Sequence, residues 1–141
     1  MKKFLYFILF INIVFSQVRI GEFQSISSFV NIKDINLSND AILYVSNSGF
    51  VEYKNKEQSF NIISIDQGLA FNELNKIHTD INGNYWIGSN KGIQVWSVNE
   101  KKLKEKFDLD IEQISGFIDY NNLIYASAKL NGEWGLIEFK Y

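Results

Sequence analysis

The side chains best suited to chemistry in this chain are the single histidine, His78, and three aspartates placed near predicted inner strands, Asp34, Asp80 and Asp119. An imidazole that acts as a base or a metal ligand needs supporting partners, so one isolated histidine removes most hydrolase and metal-site designs and points to a structural role. Paired carboxylates for glycosidic cleavage would have to converge in one cleft. At these positions, turn capping is the expected use of the aspartates. Asp80, Asn82 and Asn84 imitate the opening of a calcium loop. The imitation fails because Tyr85 stands at the sixth position and Lys91 at the twelfth, where glycine and glutamate are required. Gly83 and Gly88 have phosphate-loop spacing, yet Ser89 occupies the lysine position and the context is a hairpin. With no cysteine there is no disulfide, thiolate metal site or thiol nucleophile. The expectation is a protein without catalytic residues, cofactor or metal.

Composition and the amino terminus bound the remainder. The 141 residues suit one domain, and an apolar fraction of 46% is that of a packed protein, not a disordered tail. Residues 1–16 read as a secretory signal peptide: Lys2 and Lys3, the apolar run from Phe4 to Phe15, and Val14 and Ser16 fitting a small-residue cleavage rule. The run is too short for the roughly 20 apolar residues that cross a bilayer. An exported bacterial protein is expected, with no membrane segment after cleavage. The net charge of −2 becomes more negative once Lys2 and Lys3 leave, and the basic run Lys101 to Lys106 alternates with glutamates. Nucleic acid is an unsuitable partner.

The elements that carry these residues repeat. Gly49, Gly92 and Gly135 recur at an interval of 43 residues inside the segments SNDAILYVSNSGFVEY, INGNYWIGSNKGIQVW and YNNLIYASAKLNGEWGLIEF. A period of about 40–45 residues built of short strands is that of β-propeller blades. The fold class is therefore all-β, with about three blades of four-stranded antiparallel sheet over residues 17–141. Blade one spans about 30–65, blade two 74–109 and blade three 113–141. Predicted strands are Ile32–Leu37, Ala41–Ser46, Gly49–Tyr53 and Ser59–Ile63, then Lys76–Asp80, Tyr85–Ser89, Gly92–Ser97 and Leu103–Phe107, then Ser115–Asp119, Leu123–Ala128 and Gly135–Phe139. Rings need four to eight blades, and Arg19–Phe23 reads as an unpartnered latching strand. The chain is thus expected to be the amino-terminal part of a larger propeller, completed by further blades of the same chain or by another copy.

Asn82-Gly83 predicts a two-residue primed turn, with Asn39-Asp40 and Asn121-Asn122 in the corresponding places. Gly92 is expected to relax the backbone where the second hairpin closes, so Gly92→Val should cost more than Gly21→Val. Trp86 and Trp96 are expected between blades. Trp134 is also assigned to core packing, with stacking on a sugar or a partner side chain as the alternative. Partial alternation is no objection, because a blade is covered on both faces. The hairpins between second and third strands share one face with the links between blades. That face presents Asn47, Phe71, Asn72, Asn90, Lys91, Lys129, Asn131, Glu133 and Trp134, the candidates for recognising a protein or a surface glycan.

DINGNYWIGSNKGIQVW resembles the two-component regulator propeller repeat at Asp80, Gly83, Trp86, Ile87, Gly88, Asn90 and Gly92. IGEFQSISSFVNIKDI resembles the opening of the amino-terminal propeller in the PorZ family of type IX secretion components, and the linker IDQGLAFNELNKI, built around Gly68-Leu69, resembles the segment between blades in that family. Blade one departs from the repeat pattern. With the glycines aligned, Leu43 replaces tryptophan and Val45 replaces glycine, whereas a hairpin one residue shorter would place Tyr44 and Ser46 there. Blade three departs further, with a longer hairpin Lys129–Trp134. The resemblance implies a non-catalytic exported binding or scaffold module serving type IX secretion or cell-surface attachment. Its alternatives are the ligand-sensing propeller of a hybrid histidine kinase regulator and the non-catalytic part of a carbohydrate-active enzyme.

Overall fold

The computed structural model describes residues 31–38 and 40–140, in which eleven strands form three antiparallel sheets. The leader, the strand assigned to Arg19–Phe23, Gly21 and Asn39 lie outside the described residues. Sheet 1 holds β1 (Asp34–Leu37), β2 (Ile42–Ser46), β3 (Gly49–Lys54) and β4 (Ser59–Ile63) in spatial order. Sheet 2 holds β5 (Leu74–Thr79), β6 (Tyr85–Ser89), β7 (Gly92–Ser97) and β8 (Lys102–Asp108). Sheet 3 holds β9 (Gln113–Tyr120), β10 (Leu123–Leu130) and β11 (Glu133–Lys140). Each sheet is a meander of sequence neighbours, the construction of a propeller blade, and the three follow one another along the chain as consecutive blades.

Two apolar seams hold the sheets together. Leu43, Val45, Phe50 and Ile63 of sheet 1 pack against Ile77, Tyr85, Ile87 and Trp96 of sheet 2. On the other side of sheet 2, Trp86, Ile93 and Val95 pack against Ile114, Ile124, Ala126 and Phe139 of sheet 3. Every residue of β6 and β7 is consequently buried. This is why their sequences carry no polar face: alternation still sends neighbours to opposite faces, but both faces meet a sheet. The tryptophans divide between the seams. The Trp96 ring meets Phe50 at 6.0 Å, whereas the Trp86 ring meets Phe139 at 5.4 Å and Phe107 at 6.1 Å.

The glycines of the period are not equivalent. Gly49 and Gly92 open β3 and β7 with φ of 151° and 137°. A Cβ there would lie 2.2 Å from the Ile63 carbonyl oxygen and 2.0 Å from that of Phe107. Both therefore let the third strand of a sheet press against the end of the fourth. Gly135 has neither constraint: nothing stands within 4 Å of a Cβ at that position. It pairs with Ala128 in the middle of a ladder that continues to Leu130 and Glu133. In sheet 3 the residue across from Ser127 is Leu136, as Gly92 is across from Ser89. The even interval between glycines thus misreads the last register by one residue, a slip that exchanges the faces of a strand. The supposed long hairpin Lys129–Trp134 is instead ladder closed by a tight Asn131-Gly132 turn with φ of 51° and 82°.

Turn chemistry also differs from expectation. Asn82-Gly83 is not a two-residue primed turn, since among its two residues only Gly83 has positive φ, at 82°. The Gly83 N–H donates to the Asp80 carbonyl and the Asp80 N–H to that of Asn84, each at 2.9 Å, a type I turn followed by a left-handed glycine. Asn121-Asn122 is the primed turn, with φ of 50° and 62°. In sheet 1, Ser46 pairs with Gly49 as Ser89 pairs with Gly92 in sheet 2. The glycine alignment without a gap is therefore right: Leu43 takes the place of Trp86, and Val45 that of Gly88. A Cβ at Gly88 would come within 2.4 Å of Ile114 Cδ1, so a larger residue in that place would have to displace the isoleucine side chain.

Candidate functional site

The aspartates singled out for chemistry are all committed to structure, in two ways. Asp80 caps its turn as expected. Its Oδ1 accepts from the N–H groups of Asn82 (2.9 Å) and Asn84 (2.8 Å), and its Oδ2 from the Trp86 indole N–H (3.0 Å). The buried Asp80 carboxylate thus ties its turn to the Trp86 indole on the next strand. Asp34 and Asp119 are not caps, which corrects the expectation for both. Asp34 accepts from Lys76 Nζ and from the Ile77 N–H, each at 3.1 Å, and so ties β1 to β5. Asp119 pairs with His78 Nε2 and ties β9 to β5. The lone histidine is therefore an inter-sheet strut, its ring also stacked on Phe117 at 6.3 Å.

The loop face is assembled as the topology requires. The Glu73 N–H donates to the Asn47 carbonyl (2.9 Å), and the Leu109 N–H donates to that of Lys91 (3.2 Å). Hairpins and links therefore meet at one end of the sheets. Asn47, Asn90, Lys91, Asn131, Glu133 and Trp134 are exposed there or along β11, while Asn72 and Lys129 are half-buried. Trp134 is 53% exposed and packs in neither seam among the described residues, because its side of sheet 3 faces away from sheet 2. Phe71 is buried and so is not presented to a partner. Two candidates already have partners: Asn90 donates to Glu73 Oε2 at 2.8 Å, and Lys129 lies 3.0 Å from Glu112 Oε2. The sequence reading missed what holds this face. The fully buried Gln94 accepts from the N–H groups of Ala70 (2.8 Å) and Phe71 (3.2 Å) and donates to the Phe71 carbonyl (3.1 Å). Gln94→Leu would strand all three backbone groups. Its cost should be about 2–4 kcal/mol, given about 1–3 kcal/mol for a buried unsatisfied group. Urea denaturation of the variant checks this.

At the opposite end a cleft of about 300 Å³ opens at the seam between sheets 1 and 2. Its lining includes Asp40, Glu52, Lys54, Asn82, Tyr85 and Asn99, contributed by β3, β6 and the turns on that side. A smaller lobe of about 80 Å³ adjoins it and shares Glu52, Lys54 and Tyr85, adding Asn61, Trp96 and Lys101. Binding pockets run from roughly 300 to 1,000 Å³, with a few placed polar groups. The polar centre here is an inter-sheet bond, in which the Tyr85 hydroxyl donates to Glu52 Oε1 at 2.6 Å. Burial, then the bond to Glu52 and its charge, raise the Tyr85 pKa well above the ordinary 10.0, opposed by a bond from Ser38. The folded state thus favours the neutral phenol. The stability this contributes is complete below about pH 10 and is lost as pH rises beyond it. Urea melts from pH 8 to 11 should show this decline, and Tyr85→Phe should make it shallower.

The consecutive antiparallel sheets are similar in fold to extracellular domains of bacterial signalling systems. Two solved structures from B. thetaiotaomicron carry the comparison. The extracellular domain of the hybrid two-component system BT3049 aligns with a TM-score of 0.63 at 25% identity, over 86% of this chain and 17% of its own. The extracellular domain of the one-component system BT4673 aligns with a TM-score of 0.63 at 15% identity, over 82% of this chain and 16% of its own. The second likeness concerns the fold alone. This chain accordingly spans about a sixth of either structure. No family model and no curated protein matches it.

Proposed function

We propose that the chain is a non-catalytic ligand-sensing part of an exported propeller, working as the extracytoplasmic input of a two-component regulator. The observation that carries this reading is the likeness to the BT3049 extracellular domain over most of the described chain. It is supported by the repeat pattern around Trp86 and by a polar cleft at a seam between blades. Export by the leader, cleavage after Ser16 and a place outside the inner membrane belong to the same proposal. So does completion by further sheets: Ile118, Tyr120, Trp134 and Leu136 are exposed on sheet 3, a surface suited to another blade. Among the described residues no helix is long and apolar enough to cross a membrane.

A secretion or surface scaffold is the second reading, supported by the likeness of the opening residues and of the linker IDQGLAFNELNKI, while the two solved extracellular domains support the sensor. Reading the gene onward from the Tyr141 codon tests the choice. A membrane-crossing helix followed by a kinase is the expected outcome. Further β domains without either would overturn the sensor and return the scaffold, whose own test is recovery of secretion components from an envelope pull-down.

A further inference from the structure

The seam between sheets 1 and 2 contains a buried acidic residue, Glu52. Glu52 stands three residues after Gly49, as Val95 stands three residues after Gly92, and both face the next sheet. At its seam Val95 is buried among Trp86, Phe139 and other apolar groups. The same structural position is thus filled by a hydrocarbon in one repeat and by a carboxylate in the other. Glu52 is only 8% exposed. A buried carboxylate is costly unless compensated, and the Tyr85 hydroxyl that donates to Glu52 is a neutral phenol. A functional use would explain that cost.

The surroundings define what would compensate it. Lys54 and Lys101 line the cleft with Glu52, and no ion pair is recorded for either among the described residues. Asp40, at the rim, is already paired with Lys56 at 3.1 Å. Glu52 and Lys54 are two residues apart on one strand, so both side chains leave the same face about 7 Å apart at the backbone. The cleft and its adjoining lobe therefore combine the buried Glu52 with Lys54, Lys101, Asn82 and Asn99 in their lining.

We infer that this cleft binds a small zwitterion of the amino-acid class, its ammonium against Glu52 and its carboxylate against Lys54 and Lys101. The inference rests on the sensor reading for its purpose but not for its geometry. An ammonium neutralises the buried carboxylate, and a carboxylate one or a few bonds away reaches the lysines. Neither a neutral sugar nor a simple anion makes both contacts.

Isothermal titration of the full-length chain with each of the twenty L-amino acids, and with glucose, acetate and ethylamine, tests the inference. At least one amino acid should bind with a Kd below 1 mM, and the three control compounds should bind at least tenfold more weakly. Glu52→Gln keeps the shape and an acceptor for Tyr85. It should weaken binding at least tenfold, as should Lys54→Met, with circular dichroism unchanged. The paired change Glu52→Val with Tyr85→Phe copies the apolar seam. It should abolish binding without lowering the melting temperature, because both partners of the buried polar pair are replaced together. The proposal is overturned if no amino acid binds, if binding survives Glu52→Gln, or if glucose or acetate binds equally well. Those results would leave the sensor reading standing, since the gene sequence decides it separately.

Discussion

Gly92→Val is expected to destabilise the protein by about 4–6 kcal/mol, whereas Gly135→Ala should stay within about 1 kcal/mol of the parent. Two independent costs fall on Gly92. Its φ of 137° is a region that side chains rarely occupy, worth about 1–3 kcal/mol of strain. Its Cβ would also sit 2.0 Å from the Phe107 carbonyl oxygen and 2.9 Å from the Leu109 nitrogen, which are backbone atoms and cannot rotate away. At Gly135 no atom stands within 4 Å of a Cβ. Chemical denaturation of both variants measures the contrast. Equal losses would restore the even glycine period and remove the register assigned to sheet 3.

Trp86→Ala should cost about 3–5 kcal/mol, the usual range for truncating a buried large aromatic. The residue is 3% exposed and fills the seam with Phe107 and Phe139. Its removal leaves a cavity between two sheets and takes one donor from Asp80. Trp86→Phe separates these contributions: most of the seam contact stays, and the bond to Asp80 goes. That variant should lose about 1–3 kcal/mol. If alanine and phenylalanine were equally harmful, the hydrogen bond and not the packing would be the principal role of the indole.

Much of the architecture was legible because both of its signals are local. Tyr85–Ser89, Gly92–Ser97 and Ser59–Ile63 match their predicted bounds. Those strands are delimited by turn residues and, in sheet 2, buried on both faces. The places of Trp86 and Trp96 between sheets followed from the same pattern. Sheet 3 was misread because Gly135 lies in the right interval without the backbone conformation that gives the interval meaning. Spacing reveals a repeat, but only φ and the adjoining strand tell which glycines are obligatory. Asn82-Gly83 misled in a similar way: the pair favours a primed turn, yet Asp80 gathers the surrounding N–H groups and imposes a longer one.

The polar residues were harder to read than the apolar ones. Asp34 and Asp119 resemble Asp80 in sequence, but their partners come from a neighbouring sheet about 40 residues away in the chain, a contact that no short-range pattern encodes. Gln94 lies in an otherwise apolar strand, and that break in pattern was the available sign that a buried amide serves a backbone segment elsewhere. Glu52 in GFVEYK gave the same sign. The loop-face candidates were chosen for exposure on a rigid scaffold. The cleft was not anticipated, because its walls come from two repeats and from the turns at the other end.

Nuclear Overhauser contacts of the tryptophan rings test the stacking of successive sheets most directly. Trp86 ring protons should give cross-peaks to Phe139 and Phe107, and those of Trp96 to Phe50, as their ring separations of 5.4, 6.1 and 6.0 Å require. Contacts from Trp86 to Phe50, or from Trp96 to Phe139, would place the sheets in another order and contradict the fold.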